Sequence, residues 1–79
     1  MYFAYVIKNE NGDLYKGHTE DIERRVEEHN SGATKTTRKS DSWKLAYCEE
    51  FKTREEAIKR EKYFKSAAGR RFLKSKLVS

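Results

Sequence analysis

Two runs rich in aromatic and β-branched residues, Tyr2 to Lys8 and Leu14 to His18, flank the turn sequence Asn9-Glu10-Asn11-Gly12-Asp13. This constrains the fold more than any other feature. Such runs predict strands, and Asn11-Gly12 supplies positions able to take positive φ. The two strands therefore form an antiparallel hairpin. Alternation puts Phe3, Tyr5 and Ile7 on one face, and Tyr2, Ala4 and Val6 on the other.

Thr19 predicts a helix N-cap, with Glu20, Asp21 and Glu23 favouring the positive end of a helix from Glu20 to His29 or Asn30. Ser31-Gly32 closes that helix. Ala33 to Ser42 is polar and aperiodic and reads as a mobile loop. Trp43 to Phe51 reads as a third strand, and Cys48 within it as a buried structural thiol. Thr53-Arg54-Glu55-Glu56 matches a capping box opening a helix to Ala67 or Ala68, ended by Gly69. Arg70 to Val78 predicts a short last helix. The expected class is α+β: a three-stranded, mainly antiparallel sheet flanked by helices, in the order ββαβαα, as one domain over residues 1–79.

A chain of 79 residues has a thin core, so its ten aromatics must supply much of it. So thin a core makes a homodimer plausible. The formal charge of +5 is unevenly placed. Met1 to Asp41 holds seven Lys/Arg against eight Asp/Glu, whereas Lys52 to Ser79 holds ten against three. A basic C-terminal third, with a smaller cluster at Lys35, Arg38 and Lys39, favours a polyanionic partner. One cysteine allows no internal disulfide, and Cys48, His18 and His29 have no zinc spacing. The longest apolar run, Met1 to Ile7, is far below the roughly 20 residues of a membrane span. These features point to a reducing, cytoplasmic compartment and no membrane partner.

Helical periodicity exposes the informative polar residues. At about 100° per residue Ile22 and Val26 share an arc, and Arg25 and His29 border it. A snorkelling arginine and a dipole-stabilised histidine would also explain them. Glu61 falls in the stripe of Ala57, Phe64 and Ala68. A carboxylate there must pair with a cation such as Arg25 or Arg60, bind a metal, or protonate. Tyr5 and Tyr15 are good strand residues in any case. As hydroxyls near cations they can also position or activate a water.

Taken together, these residues resemble the GIY-YIG nuclease superfamily, most closely its small standalone bacterial members. Phe3-Ala4-Tyr5 and Tyr15-Lys16-Gly17 stand where its two tripeptides would be. Asp21 to Asn30 looks like its arginine helix, Trp43 to Tyr47 like its third strand, and Arg54 to Glu61 like its metal-carboxylate helix. The resemblance implies that Tyr5 helps deprotonate the attacking water and Tyr15 positions water and phosphate. It implies that Arg25 stabilises charge at the scissile phosphate and that His29 orders the tyrosines. Glu61 would hold a single magnesium or manganese ion, a hard cation suited to one carboxylate with waters and substrate oxygens.

The implied activity is metal-dependent endonucleolytic hydrolysis of DNA in repair or recombination, with RNA also open as a substrate. Lys16, Lys35, Arg38 and Lys39 would meet phosphates, and an accessory protein could complete the site. The sequence departs from the family at Phe3, Ala4 and Lys16, and no asparagine follows Asn30 where homing and repair relatives carry one. Those departures ground a second reading: a catalytically weak or inactive nucleic-acid-binding module on the same fold.

Overall fold

A computed structural model describes residues 1–31 and 42–77. Strand β1 (Tyr2–Lys8) returns as β2 (Leu14–Thr19) through the expected turn. Gly12 there takes φ +87°. Asn9 is the organiser: its Oδ1 accepts from the Asn11 and Asp13 backbone N–H groups at 3.0 and 2.8 Å. Strand β3 (Lys44–Phe51) pairs antiparallel with the other side of β1, giving the sheet order β2-β1-β3. The register slips between Val6 and Ile7, so that Ala46 lacks a partner, the signature of a β-bulge.

The element order is ββαβαα, as the sequence predicts. Strands β2 and β3 each differ from expectation by one residue, ending at Thr19 and starting at Lys44, and three helix boundaries differ by more. Helix α1 (Ile22–Asn30) starts later than expected because Asp21, not Thr19, is its N-cap. The Asp21 carboxylate accepts from the Arg24 N–H at 3.2 Å, while Thr19 Oγ1 accepts from the Asp21 N–H. Helix α2 (Arg54–Lys65) opens on Thr53 as the capping sequence predicts, but it ends before Ser66, not at Gly69. Ser66 is extended at φ −77°, ψ 165°, and its hydroxyl accepts from the Gly69 N–H at 3.0 Å. Helix α3 therefore runs Ala67–Leu77, with Gly69 in its first turn.

Because β1 is central, both of its faces are buried. Ala4 and Val6 pack with Phe64 and Leu73 under α2 and α3. Tyr5 and Ile7 pack with Trp43, Tyr15 and the α1 residues Ile22 and Val26. The alternation read from the sequence thus separates two small cores. Cys48 corrects an expectation, since it is exposed: it lies on an edge strand, with only β1 beside it. Ala68 is exposed as well, because the helix break at Ser66 carries it off the α2 stripe. The loop expected over 33–42 lies outside the described residues except for Ser42.

Candidate active site

Tyr5 is 1% exposed and stands opposite Gly17 in the β1–β2 ladder. A Cβ on Gly17 would come within 2.5 Å of the Tyr5 hydroxyl, so only glycine lets the phenol lie across β2. There it meets α1. Arg25 Nε–H donates to the Tyr5 oxygen at 3.2 Å, and His29 Nε2 lies 3.0 Å from the same atom. A guanidinium can only donate, so the phenol accepts from Arg25 and gives its own proton to His29. His29 is then neutral with its proton on Nδ1. Burial and the neighbouring Arg25 charge agree, both lowering the imidazole below its usual range.

Burial pushes the Tyr5 phenol up to about 12, despite the opposing hydrogen bond and charge of Arg25. At neutral pH it is therefore a hydroxyl, not a phenolate. Tyr15 completes this group, its ring 4.6 Å from His29 and 6.4 Å from Tyr5 between centroids. Arg25 also donates to Glu28 at 3.1 Å. Two of its five N–H donors are thus engaged among the described residues, leaving three for an anion.

A second group lies on the α2 side. The side chain of Glu61, 16% exposed, does not pair with Arg25 or Arg60 as the sequence allows. Arg60 instead forms a fork on Glu49 at 2.8 and 3.2 Å. Glu61 Oε1 is 2.6 Å from His18 Nδ1, and Oε2 accepts from Lys65 Nζ at 2.9 Å. Burial raises the carboxyl, but the His18 and Lys65 hydrogen bonds outweigh it and hold Glu61 ionised below its usual range. Glu61 makes no hydrogen bond to either tyrosine, yet its charge reaches the Tyr5 phenol and helps to raise it.

One residue from each group, His18 and Arg25, lines a polar cleft of about 350 Å³ with Arg24 and Arg54; Tyr5, Tyr15, His29 and Glu61 stand behind these residues and are not part of its lining. His18 is the residue that sequence reasoning passed over. Its only signal is position: it pairs with Ala4, which places it on the α2 face of β2. Lys16 is half-buried, its ammonium lowered by burial and by the charges of Arg70 and Lys65. Lys35, Arg38 and Lys39 lie outside the described residues.

Residues 1–74 match the GIY-YIG catalytic domain. The chain belongs to the GIY-YIG family. A UPF0213 protein of Staphylococcus saprophyticus is 38% identical over 74 residues, covering 92% of this chain and 90% of its own. One from Bacillus licheniformis is 43% identical over 65 residues, 81% of this chain and 67% of that one. The solution NMR structure of a UPF0213 protein from Bacillus halodurans is similar at TM-score 0.56 and 32% identity, over 95% of this chain and 84% of that one. GIY-YIG membership places the chain in a nuclease superfamily whose members generally use divalent metal ions.

The donor set can be tested against such an ion. Among the described residues no group of three or more His, Cys, Asp or Glu could enclose a metal. Glu61 alone suits a hard ion that keeps waters and takes substrate oxygens, because a carboxylate has about four lone-pair sites and two are in use. No described helix is long and apolar enough to cross a membrane.

Proposed function

We propose that this GIY-YIG chain is an endonuclease hydrolysing phosphodiester bonds in DNA, acting in repair or recombination. Tyr5, Tyr15, Arg25, His29 and Glu61 form its active site. The observation that carries the reading is the Arg25–Tyr5–His29 hydrogen-bond chain beside a cleft that His18 and Arg25 wall together. Tyr5 hands its proton to the neutral His29 as it takes one from the attacking water. This relay avoids a free phenolate, which a pKa of about 12 would make scarce. Tyr15 holds the water or phosphate, and the remaining N–H groups of Arg25 stabilise charge growing on the phosphoryl oxygens. Glu61 would hold one magnesium or manganese ion, which when bound supplies Lewis-acid polarisation of a phosphoryl oxygen. Lys16, with Lys35, Arg38 and Lys39, meets the phosphate backbone, whose recognition needs no base reading.

The test incubates the protein with plasmid and branched DNA in magnesium, manganese or EDTA. Cleavage is expected with metal only, with Arg25→Ala and Tyr5→Phe each slowed about 10²–10⁴-fold and Glu61→Gln inactive. The absence of cutting in every metal, or cutting by Glu61→Gln at the wild-type rate, refutes the enzyme reading. A second reading, a binding module with little turnover, is favoured by the two partners already on Glu61 and by the near-complete burial of Tyr5. It expects salt-dependent DNA binding that survives Glu61→Gln with no turnover.

A further inference from the structure

The two oxygens of Glu61 are held unequally. Oε1 faces His18 on the sheet, whereas Oε2 faces Lys65, the last residue of α2. The Lys65 side chain is 56% exposed and ends a flexible four-carbon stem, so its head can leave for solvent without disturbing a packed group. Lys65 also lies near other cations. Lys16 pairs with Val6, on the face of the sheet that Phe64 of α2 and Leu73 of α3 cover, and the charges of Lys65 and Arg70 both act on its ammonium. Neither Lys16 nor Arg70 has a carboxylate partner among the described residues. Three cations of which only Lys65 has a carboxylate partner among the described residues make a place where a phosphate would relieve repulsion.

We propose that Lys65 is an exchangeable counter-cation: it occupies Glu61 Oε2 until a divalent ion takes that oxygen, and then turns to a substrate phosphate beside Lys16 and Arg70. This rests on the reading of Glu61 as the metal ligand. An ammonium 2.9 Å from Oε2 and a divalent cation on the same oxygen repel each other, so the ion loosens Lys65 even though the carboxylate has lone-pair sites to spare. The ion therefore competes with Lys65 for the carboxylate, while a phosphate competes with the carboxylate for Lys65. Each ligand thereby weakens the contact that opposes the other, and linkage makes the gain reciprocal.

Manganese titration followed by the electron paramagnetic resonance signal of the free ion tests this without any turnover. The proteins compared are wild type, Lys65→Met, Glu61→Gln and, as a charge-matched control on the exposed side of α2, Lys62→Met. Lys65→Met is expected to bind manganese about two- to five-fold more tightly than wild type, the range of an exposed ion pair. Lys62→Met should stay near wild type. A short single-stranded DNA should then raise manganese affinity in wild type more than in Lys65→Met. Equal or weaker affinity in Lys65→Met, with binding abolished by Glu61→Gln, overturns the exchange and leaves the metal reading standing. If wild type binds no manganese, or Glu61→Gln binds it unchanged, the metal reading has failed and the exchange falls with it.

Discussion

A Cβ on Gly17 would sit 2.5 Å from the Tyr5 hydroxyl and 2.7 Å from the ring carbon that bears it. Tyr5 cannot yield easily, because Arg25 and His29 hold that hydroxyl from α1. Gly17→Ala should therefore destabilise the protein by about 1–3 kcal/mol, the usual range for overpacking. Urea denaturation measures it, and an unchanged midpoint would show that the phenol is not pinned. The raised Tyr5 and Tyr47 phenols give a second prediction. Burial holds Tyr5, and a hydrogen bond to Glu49 holds Tyr47, at about 12 instead of 10. A group raised on folding stabilises below its unfolded value, and that stability is lost as pH rises through its folded value. The stability these two phenols contribute should thus hold below pH 10 and decline from 10 toward 12, with less decline in Tyr5→Phe. Ultraviolet titration of the phenolates should show the same late component shrinking in that variant.

At the scale of elements, the junction of α2 and α3 is the least forgiving. Helix propensity alone favours Gly69→Ala by about 1 kcal/mol. The structure reverses that sign. The new Cβ would lie 1.7 Å from the Tyr63 carbonyl oxygen and 2.7 Å from the Phe64 Cα, backbone atoms that cannot step aside. Net destabilisation of about 3 kcal/mol or more is expected, the upper end of overpacking, read as a large drop in melting temperature. A neutral or raised melting temperature would mean that the two helices do not cross so closely. The junction matters to the site because Glu61 and Lys65 lie on α2 while Arg70 lies on α3. A shift between these helices would move the carboxylate away from His18 and scatter the cations around Lys16.

Across the whole molecule, three groups make folding sensitive to acid. Burial and Arg25 lower His29 below its usual 6.5. Burial raises Glu49 and Glu61, but hydrogen bonds from Arg60 and Tyr47 to the first, and from His18 and Lys65 to the second, outweigh it and lower both below 4.5. A group lowered on folding stabilises above its unfolded value, and this is lost as pH falls through its folded value. Stability should therefore fall in two stages: first below about 6.5 as His29 is forced to charge, then below about 4.5 as the carboxylates protonate. Denaturant midpoints between pH 8 and 3 would show both. His29→Gln should remove the first stage and Arg60→Gln should weaken the second.

Features that depend on near neighbours were legible along the chain. Alternation along Tyr2–Lys8 separated the two cores of β1, Thr53 marked the start of α2, and a 3.6-residue period brought Arg25 and His29 to the buried side of α1. The same local logic failed where a competing cap or an uncovered edge decided the outcome, at Asp21, Ser66 and Cys48. Only the tertiary structure chose the partner of Glu61. His18 is 43 positions away, and no periodicity within β2 or α2 says which face of one will meet the other. Periodicity fixes the direction of a side chain within its own element. What stands opposite depends on how separate elements pack, and here that packing placed an imidazole and an ammonium on the carboxylate.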